Sequence, residues 1–202
     1  MKNAENFDRA LNIKTSASGY EAGDENHARY EPTGYGALKS LASSGLIEKD
    51  DILVDYGCGK GRVSFFLHYA LGVSAAGIEY DSEIYLSAVR NLESYILPEA
   101  QKSNIRFFNQ SAESYQVTNE NRFYFFNPFS HVILASVINQ ILVSYYENPR
   151  LMRLFFYYPS SEYLALLSAH PMLDFECEID VSDTENGERK RERIMVYKIG
   201  SA

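Results

Sequence analysis

The chain has 202 residues, 46% hydrophobic and 23% charged, with a formal net charge of −8 at pH 7. That length suits one domain and that composition a globular one. The acid excess argues against a partner held by non-specific phosphate attraction, and no apolar run reaches the roughly 20 residues that span a bilayer.

The first residues, Met1 to Asn12, are polar and lack the apolar core of a signal peptide, so a cytoplasmic location is expected. Cys58 and Cys177 are the two cysteines; they suggest no structural disulfide and no zinc spacing. The basic cluster Arg189-Lys190-Arg191 with Arg193 is interrupted by acids and reads as a solvated hairpin loop. Sixteen tyrosines and twelve phenylalanines, with no tryptophan, supply most of the expected core.

Residues 1–29 hold few large apolar side chains and read as an N-terminal arm or irregular lead-in, before one domain over 30–202. A turn at Tyr30-Glu31-Pro32-Thr33-Gly34-Tyr35 precedes a helix over about 35–44, closed by Gly45. Strand and helix patterns then alternate. Strand 51–56 leads to helix 60–71, whose Val63, Phe66, Leu67 and Ala70 recur at helical spacing. Strand 74–79 leads to a helix capped at Asp81-Ser82 and stopped by Pro98. Strand 104–109 comes next, then strand 122–127 with Ser130 capping a helix to about Tyr146, its Val132, Ile133, Val137, Ile141 and Leu142 buried. Strand 151–157 precedes a helix capped by Ser160 or Ser161, and strands 173–180 and 192–199 face each other across a loop with Asn186-Gly187. The pattern predicts an α/β fold: a doubly wound, mostly parallel seven-stranded sheet with an antiparallel C-terminal hairpin and helices on both faces.

The most informative segment is Ile52-Leu53-Val54-Asp55-Tyr56-Gly57-Cys58-Gly59-Lys60-Gly61. An apolar strand ends on a carboxylate and runs into a glycine turn, which lets a ligand approach the backbone closely. A dinucleotide fold wants a small residue at position 62, where Arg stands. The segment instead resembles motif I of the class I S-adenosylmethionine (SAM) methyltransferases, hydrophobic-Asp/Glu-x-Gly-x-Gly-x-Gly. The seven-stranded pattern over 30–199 is similar to that family's fold.

In a doubly wound sheet, ligands bind beyond the carboxyl ends of the strands, and the candidate residues sit there. The resemblance implies that Asp55, Gly57, Cys58, Gly59 and Gly61 cradle the amino acid end of SAM. Glu79, closing the second strand, suits the two ribose hydroxyls, and Tyr80 can lie against the adenine. Ser111 stands where similar enzymes carry an Asp or Asn for the adenine amino group, with Ala112 serving through its backbone. Asn127-Pro128-Phe129 resembles, with one proline fewer, the Asp/Asn-Pro-Pro-Tyr/Phe motif of methyltransferases that modify amide or exocyclic nitrogens. It marks the acceptor site, with Asn127 touching the cofactor as well. Tyr30 and Thr33 belong to a loop that loosely resembles the lid of Dot1-type lysine methyltransferases. Tyr157, Tyr158 and Pro159 end the fifth strand on the acceptor side. The four histidines, 27, 68, 131 and 170, show no ligand or triad spacing, and only His131 adjoins the acceptor motif.

The expected function is methyl transfer from SAM to an unidentified acceptor, a nitrogen in preference to an oxygen because no general base is recognisable. The acceptor is expected to be a small molecule or a protein, with nucleic acid disfavoured and no membrane partner. A non-catalytic SAM-binding sensor or partner subunit and an NAD(P)-dependent oxidoreductase are the alternatives.

Overall fold

In the computed structural model, which describes residues 2–16, 30–181 and 192–200, the strands form one sheet whose order reverses in the middle. They are β1 (Ile52–Tyr56), β2 (Ser74–Glu79), β3 (Ile105–Asn109), β4 (Arg122–Phe125), β5 (Met152–Tyr157), β6 (Asp174–Asp180) and β7 (Arg193–Ile199). The seven lie in the order β3-β2-β1-β4-β5-β7-β6. The first five are parallel, and β7 inserts antiparallel between β5 and β6. The predicted seven strands and terminal hairpin are all found. The Asn186-Gly187 turn and the Arg189-Lys190-Arg191 cluster lie outside the described residues; Arg193 pairs with Glu178 at 3.1 Å.

Parallel strands with helical crossovers bury both faces, and both cores are dense. On one face, α6 (His131–Glu147) and α7 (Ser161–Ala169) cover Val54, Tyr56, Phe123, Phe125, Leu154 and Phe156. Aromatic stacking runs across the strands there: Tyr56 lies 5.1 Å from Phe125 and Phe125 4.8 Å from Phe156, centroid to centroid. Such pairs add to the area they bury. On the other face, α2 (Tyr35–Ser43) and α3 (Arg62–Leu71) cover Leu53, Tyr124, Phe155, Ile194 and Val196. There α4 (Ser82–Ser94) packs on β2 and β3, and a short α5 (Glu99–Lys102) follows Pro98. At β6 a bulge between Phe175 and Cys177 flips the side-chain alternation. Phe175 then meets Tyr197 on the α6 face while Cys177 and Ile179 face α2. Among the described residues no helix is long and apolar enough to cross a membrane.

Two sequence expectations need correction. Val132 is exposed, because the buried row of α6 starts at Leu134 and runs through Val137, Ile138, Ile141 and Leu142, three of which were expected. The irregular N-terminal arm does not describe residues 2–16. A helix α1 (Lys2–Leu11) forms there, and Leu11 and Ile13 are buried with Phe65, Tyr95 and Ile105. Few large apolar residues suffice because polar groups fasten this segment, as the site geometry shows below. Replacing Leu11 with Ala is therefore expected to destabilise the protein by about 2–5 kcal/mol, the range for a buried leucine. Urea unfolding checks this; a Leu11→Ala midpoint equal to wild type would mean that α1 is not part of the packed structure.

Candidate functional site

Strand order reverses between β1 and β4, so the loops after these two strands leave on opposite faces and open a crevice. A cavity of about 190 Å³ lies there. Its wall includes Tyr30, Thr33, Asp55, Gly57, Cys58, Glu79, Tyr80, Ser111, Ala112, Pro128 and Phe129, residues expected from sequence and drawn from five separate stretches of chain. Gly59, Gly61 and Asn127 do not line it.

The glycine turn is the floor of this site. Gly57 has φ 70°, and a Cβ added there would stand 2.3 Å from the Pro128 Cβ. At Gly59, φ is 57°, and a Cβ would stand 2.2 Å from the Tyr30 ring. Both positions therefore need glycine for conformation and for space. Gly61 serves the same packing from beneath, against Phe107 and Phe65. The Cys58 thiol is buried beside Gly77, and burial pushes its pKa well up. It is an inert filler there rather than a nucleophile.

Two carboxyl groups face the turn. Asp55, at the end of β1, is 2% exposed. It accepts from the backbone N–H of Ser64 and, at 3.4 Å, from the Ser64 hydroxyl, so it braces the start of α3. Burial first, and then the Glu79 carboxylate, raise its pKa to about 7, against the pull of Ser64. Glu79, at the end of β2, accepts at 2.9 Å from the N–H of Gly59 and at 2.9 Å from that of Asp81. Burial raises its pKa too, partly offset by those N–H groups. Among the described residues, neither carboxyl has a Lys or Arg partner.

The third side of the cavity is the start of a short 3-10 turn, Ala112–Ser114, where the Ser111 hydroxyl lies 2.8 Å from that of Ser114. Beside it, the Asn109 amide donates to the carbonyls of Glu79 and Tyr80, both at 3.0 Å, and fixes the turn that presents Tyr80. Tyr80 is 56% exposed and forms the rim.

Across from the carboxyls, the wall after β4 is apolar: Phe126, Pro128, Phe129 and, from α6, Ile133. Asn127 does not join it. Its amide donates to the Tyr158 carbonyl at 2.7 Å and its oxygen accepts from the Ser160 N–H at 3.0 Å. Asn127 and Tyr158 both have positive φ, 43° and 48°. The expected acceptor and cofactor contact of Asn127 is thus replaced by a stitch between the turns after β4 and β5. His131 opens α6 on its exposed side and is not part of the wall.

Sequence reading missed the fastening of the N-terminal segment to the turn. Arg62, 5% exposed, donates from Nε to the Thr15 hydroxyl at 2.7 Å and from Nη1 to the Thr33 carbonyl at 3.1 Å. Its Nη2 lies 3.8 Å from Asp8, and its guanidinium stands 4.7 Å from the Tyr35 ring centroid. Asp8 in turn accepts from the hydroxyls of Thr15 and Tyr35. Asn91 of α4 bonds the backbone of both Lys14 and Lys60, and Tyr30 donates to the Thr15 carbonyl at 2.5 Å. Thr33 is buried with its hydroxyl 2.9 Å from that of Tyr124. The one available signal was Arg62 itself, a charge at the first position of a helix that buries its whole first turn.

No family model matches this chain, and no curated protein matches it in sequence. Solved structures match in shape. An RNA methyltransferase from Salinibacter ruber in complex with S-adenosyl-L-homocysteine superposes with a TM-score of 0.58 at 14% identity, over 85% of this chain and 95% of that one. The glycopeptide N-methyltransferase MtfA complexed with SAM gives 0.58 at 9% identity, over 84% and 88%. TrmN from Thermus thermophilus gives 0.58 at 15% identity, over 81% of this chain and 47% of that one. The fold is therefore that of the class I SAM-dependent methyltransferases.

The raised Asp55 pKa has a consequence for stability. The folded chain holds the Asp55 proton more tightly than the unfolded chain does, whose carboxyl titrates near 3.9. Stability is then full below about pH 4, falls as pH rises through about 7, and is level above that. Asp55→Asn is expected to flatten this part of the profile and to raise the melting temperature at pH 8 relative to wild type. Thermal melts at pH 5 and pH 8 check it; an unchanged slope in Asp55→Asn would sink the assignment.

Proposed function

We propose that this chain binds SAM at the cavity above the glycine turn and transfers its methyl group to an acceptor nitrogen. The carrying observation is the pair of carboxyls, Asp55 buried and Glu79 half-buried, that face the turn without a cationic partner among the described residues. Leaving them so raises both pKa values, and a ligand with an ammonium group and a ribose diol would relieve both. In this reading Asp55 takes the ammonium, and Glu79, pre-aimed by the Gly59 and Asp81 N–H groups, takes the ribose hydroxyls. Ala112 and Tyr80 flank the adenine, while Gly57 and Cys58 let the methionine end lie against backbone. The fit supports SAM, as do fold neighbours solved with SAM and S-adenosyl-L-homocysteine. A nicotinamide dinucleotide is disfavoured because Arg62, which would have to be small, is committed to Asp8, Thr15 and Thr33.

SAM supplies a methyl group activated by its sulfonium: the acceptor lone pair bonds the methyl carbon while the carbon–sulfur bond breaks, its electrons staying on sulfur. The chain's own task is placement and exclusion of water, a proximity effect worth on the order of 7–11 kcal/mol in the best cases. The acceptor wall of Phe126, Pro128, Phe129 and Ile133 offers no titratable group to remove a proton. An uncharged amine needs none, whereas a hydroxyl would, so the wall favours nitrogen. Desolvation against these rings also favours the neutral, reactive form of an amine. The partner class that fits is a small molecule or a protein. One of the fold neighbours is named an RNA methyltransferase, but a net charge of −8 gives this chain no general attraction for phosphate. A second reading, a SAM-binding subunit without turnover, draws on one observation: the Asn127 side chain is spent on the Tyr158 and Ser160 backbone.

Titration calorimetry with SAM is expected to show one site, with affinity rising as pH passes through about 7 because the ligand's ammonium then meets an ionised Asp55. Glu79→Gln is expected to weaken binding about 10- to 100-fold, the ~1.5–3 kcal/mol of a charged hydrogen bond. No heat at millimolar SAM from a folded protein would reject the cofactor. Binding without methyl transfer to any amine presented would favour the silent subunit.

A further inference from the structure

We infer that Arg62 is a positioning residue for the cofactor, acting through the N-terminal segment, so that residues 8–16 and the strap 30–33 are built into the cofactor site. This rests on the SAM reading above and deepens it. Tyr30 and Thr33 line the cavity, yet no regular strand or helix holds them there. The Tyr30 ring covers Gly59 so closely that even a methyl group would not fit between them.

One buried guanidinium ties the strap to the N-terminal segment, beside the contacts of Thr33 with Tyr124 and of Lys60 with the Tyr30 ring. From the first position of α3, immediately after the glycine turn, it reaches the Thr33 carbonyl on one side and the Thr15 hydroxyl and Asp8 carboxylate on the other. Thr15 closes the circuit, since its carbonyl accepts from Tyr30 and its own N–H and hydroxyl donate to Asp8. Three donor directions at fixed angles suit a planar fork and not a point charge. The side chain cannot be lost from this place cheaply, because Asp8 would be left buried without its cation. The glycine turn therefore binds on two levels: its backbone forms the floor of the site and its next residue hangs the roof. The position that is unsuitable for a dinucleotide fold is here the residue that ties a separate stretch of chain to the ligand.

The test uses Arg62→Lys and Thr15→Val in the full chain, with Ser144→Ala as a control. Ser144 is buried on α6, remote from the cavity, where it bonds Thr118 and Arg150. Hydrogen exchange of the free proteins comes first. Both strap variants are expected to exchange faster over residues 8–16 and 30–36 with the rest unchanged, and Ser144→Ala is not. SAM and decarboxylated SAM, which lacks the ligand's carboxylate, are then titrated. Both strap variants should lose about tenfold or more in affinity for each ligand alike, while Ser144→Ala lowers the melting temperature and keeps affinity within about twofold. Unchanged exchange at 30–36 in both strap variants overturns the inference, as does wild-type affinity in both. A loss in Arg62→Lys confined to SAM also overturns it, since Arg62 would then be a direct partner of the carboxylate. Failure of wild type to bind SAM rejects the cofactor reading instead, and the exchange result still decides the seating of the strap.

Discussion

Three side chains press on the backbone of the turn between β1 and α3, and the geometry of the site depends on that crowding. Pro128 sits on Gly57, Tyr30 on Gly59, and Phe107 under Gly61. Each comes from a different part of the chain: the turn after β4, the strap before α2, and β3. A side chain at position 57, 59 or 61 would push one of these walls outward, so the glycines are an index against which the cavity is assembled. The fourth contact is polar. Glu79 holds the Gly59 N–H at 2.9 Å, which locks the turn to the end of β2. A ligand entering here meets surfaces whose distances are already set.

That rigidity has an electrostatic cost. Burial makes both Asp55 and Glu79 resist ionisation, and at Asp55 the Glu79 carboxylate adds to it. A protein could relieve this with an arginine, and one is near: Arg62 lines the same cavity. Its guanidinium is instead turned to Asp8, 3.8 Å away, and to Thr15 and Thr33. The cation stabilises the wall and the carboxyls are left for what binds. Charge pairing across the site is divided between structure and ligand, and the division follows from which side of the turn each group occupies.

The sequence carried much of this. Alternating patterns gave the sheet, and the strand-acid-glycine segment located the cavity, because apolar period, N-caps such as Asp81 and Ser130, and close-approach glycines are local signals. What was not legible depended on distant partners. The segment before Thr15 looks too polar to pack, and it packs because Asp8, Thr15, Arg62 and Asn91 satisfy one another across long sequence separations. A single sequence shows Asp8, Thr15 and Asn91 as ordinary polar side chains, and only Arg62 stands out by its place after the glycine turn. Asn127 misled in the opposite way. The residue type matched a motif, but its left-handed backbone turns the amide toward Tyr158, and nothing in the adjacent residues announces that. Val132 failed for a smaller reason: in the first turn of α6 it falls on the outer face, while Val137, Ile141 and Leu142 are buried as expected.

The paired left-handed residues suggest how the acceptor side is organised. Positive φ at a residue such as Tyr158 costs on the order of 1–3 kcal/mol and persists only where the surroundings enforce it. Here the enforcement is Asn127, which has φ 43° itself and bonds both Tyr158 and Ser160. The two turns therefore stand or fall together, and between them they present Pro128 and Phe129, with Phe129 further fixed by Tyr163 donating to its carbonyl at 2.7 Å. The strain maintains the position of an apolar wall and supplies no proton acceptor to it. In the methyl-transfer reading proposed above, a wall of this kind selects its acceptor by shape and by an intrinsically available lone pair, so the proposed nitrogen preference belongs to the wall as a whole and not to any one side chain in it.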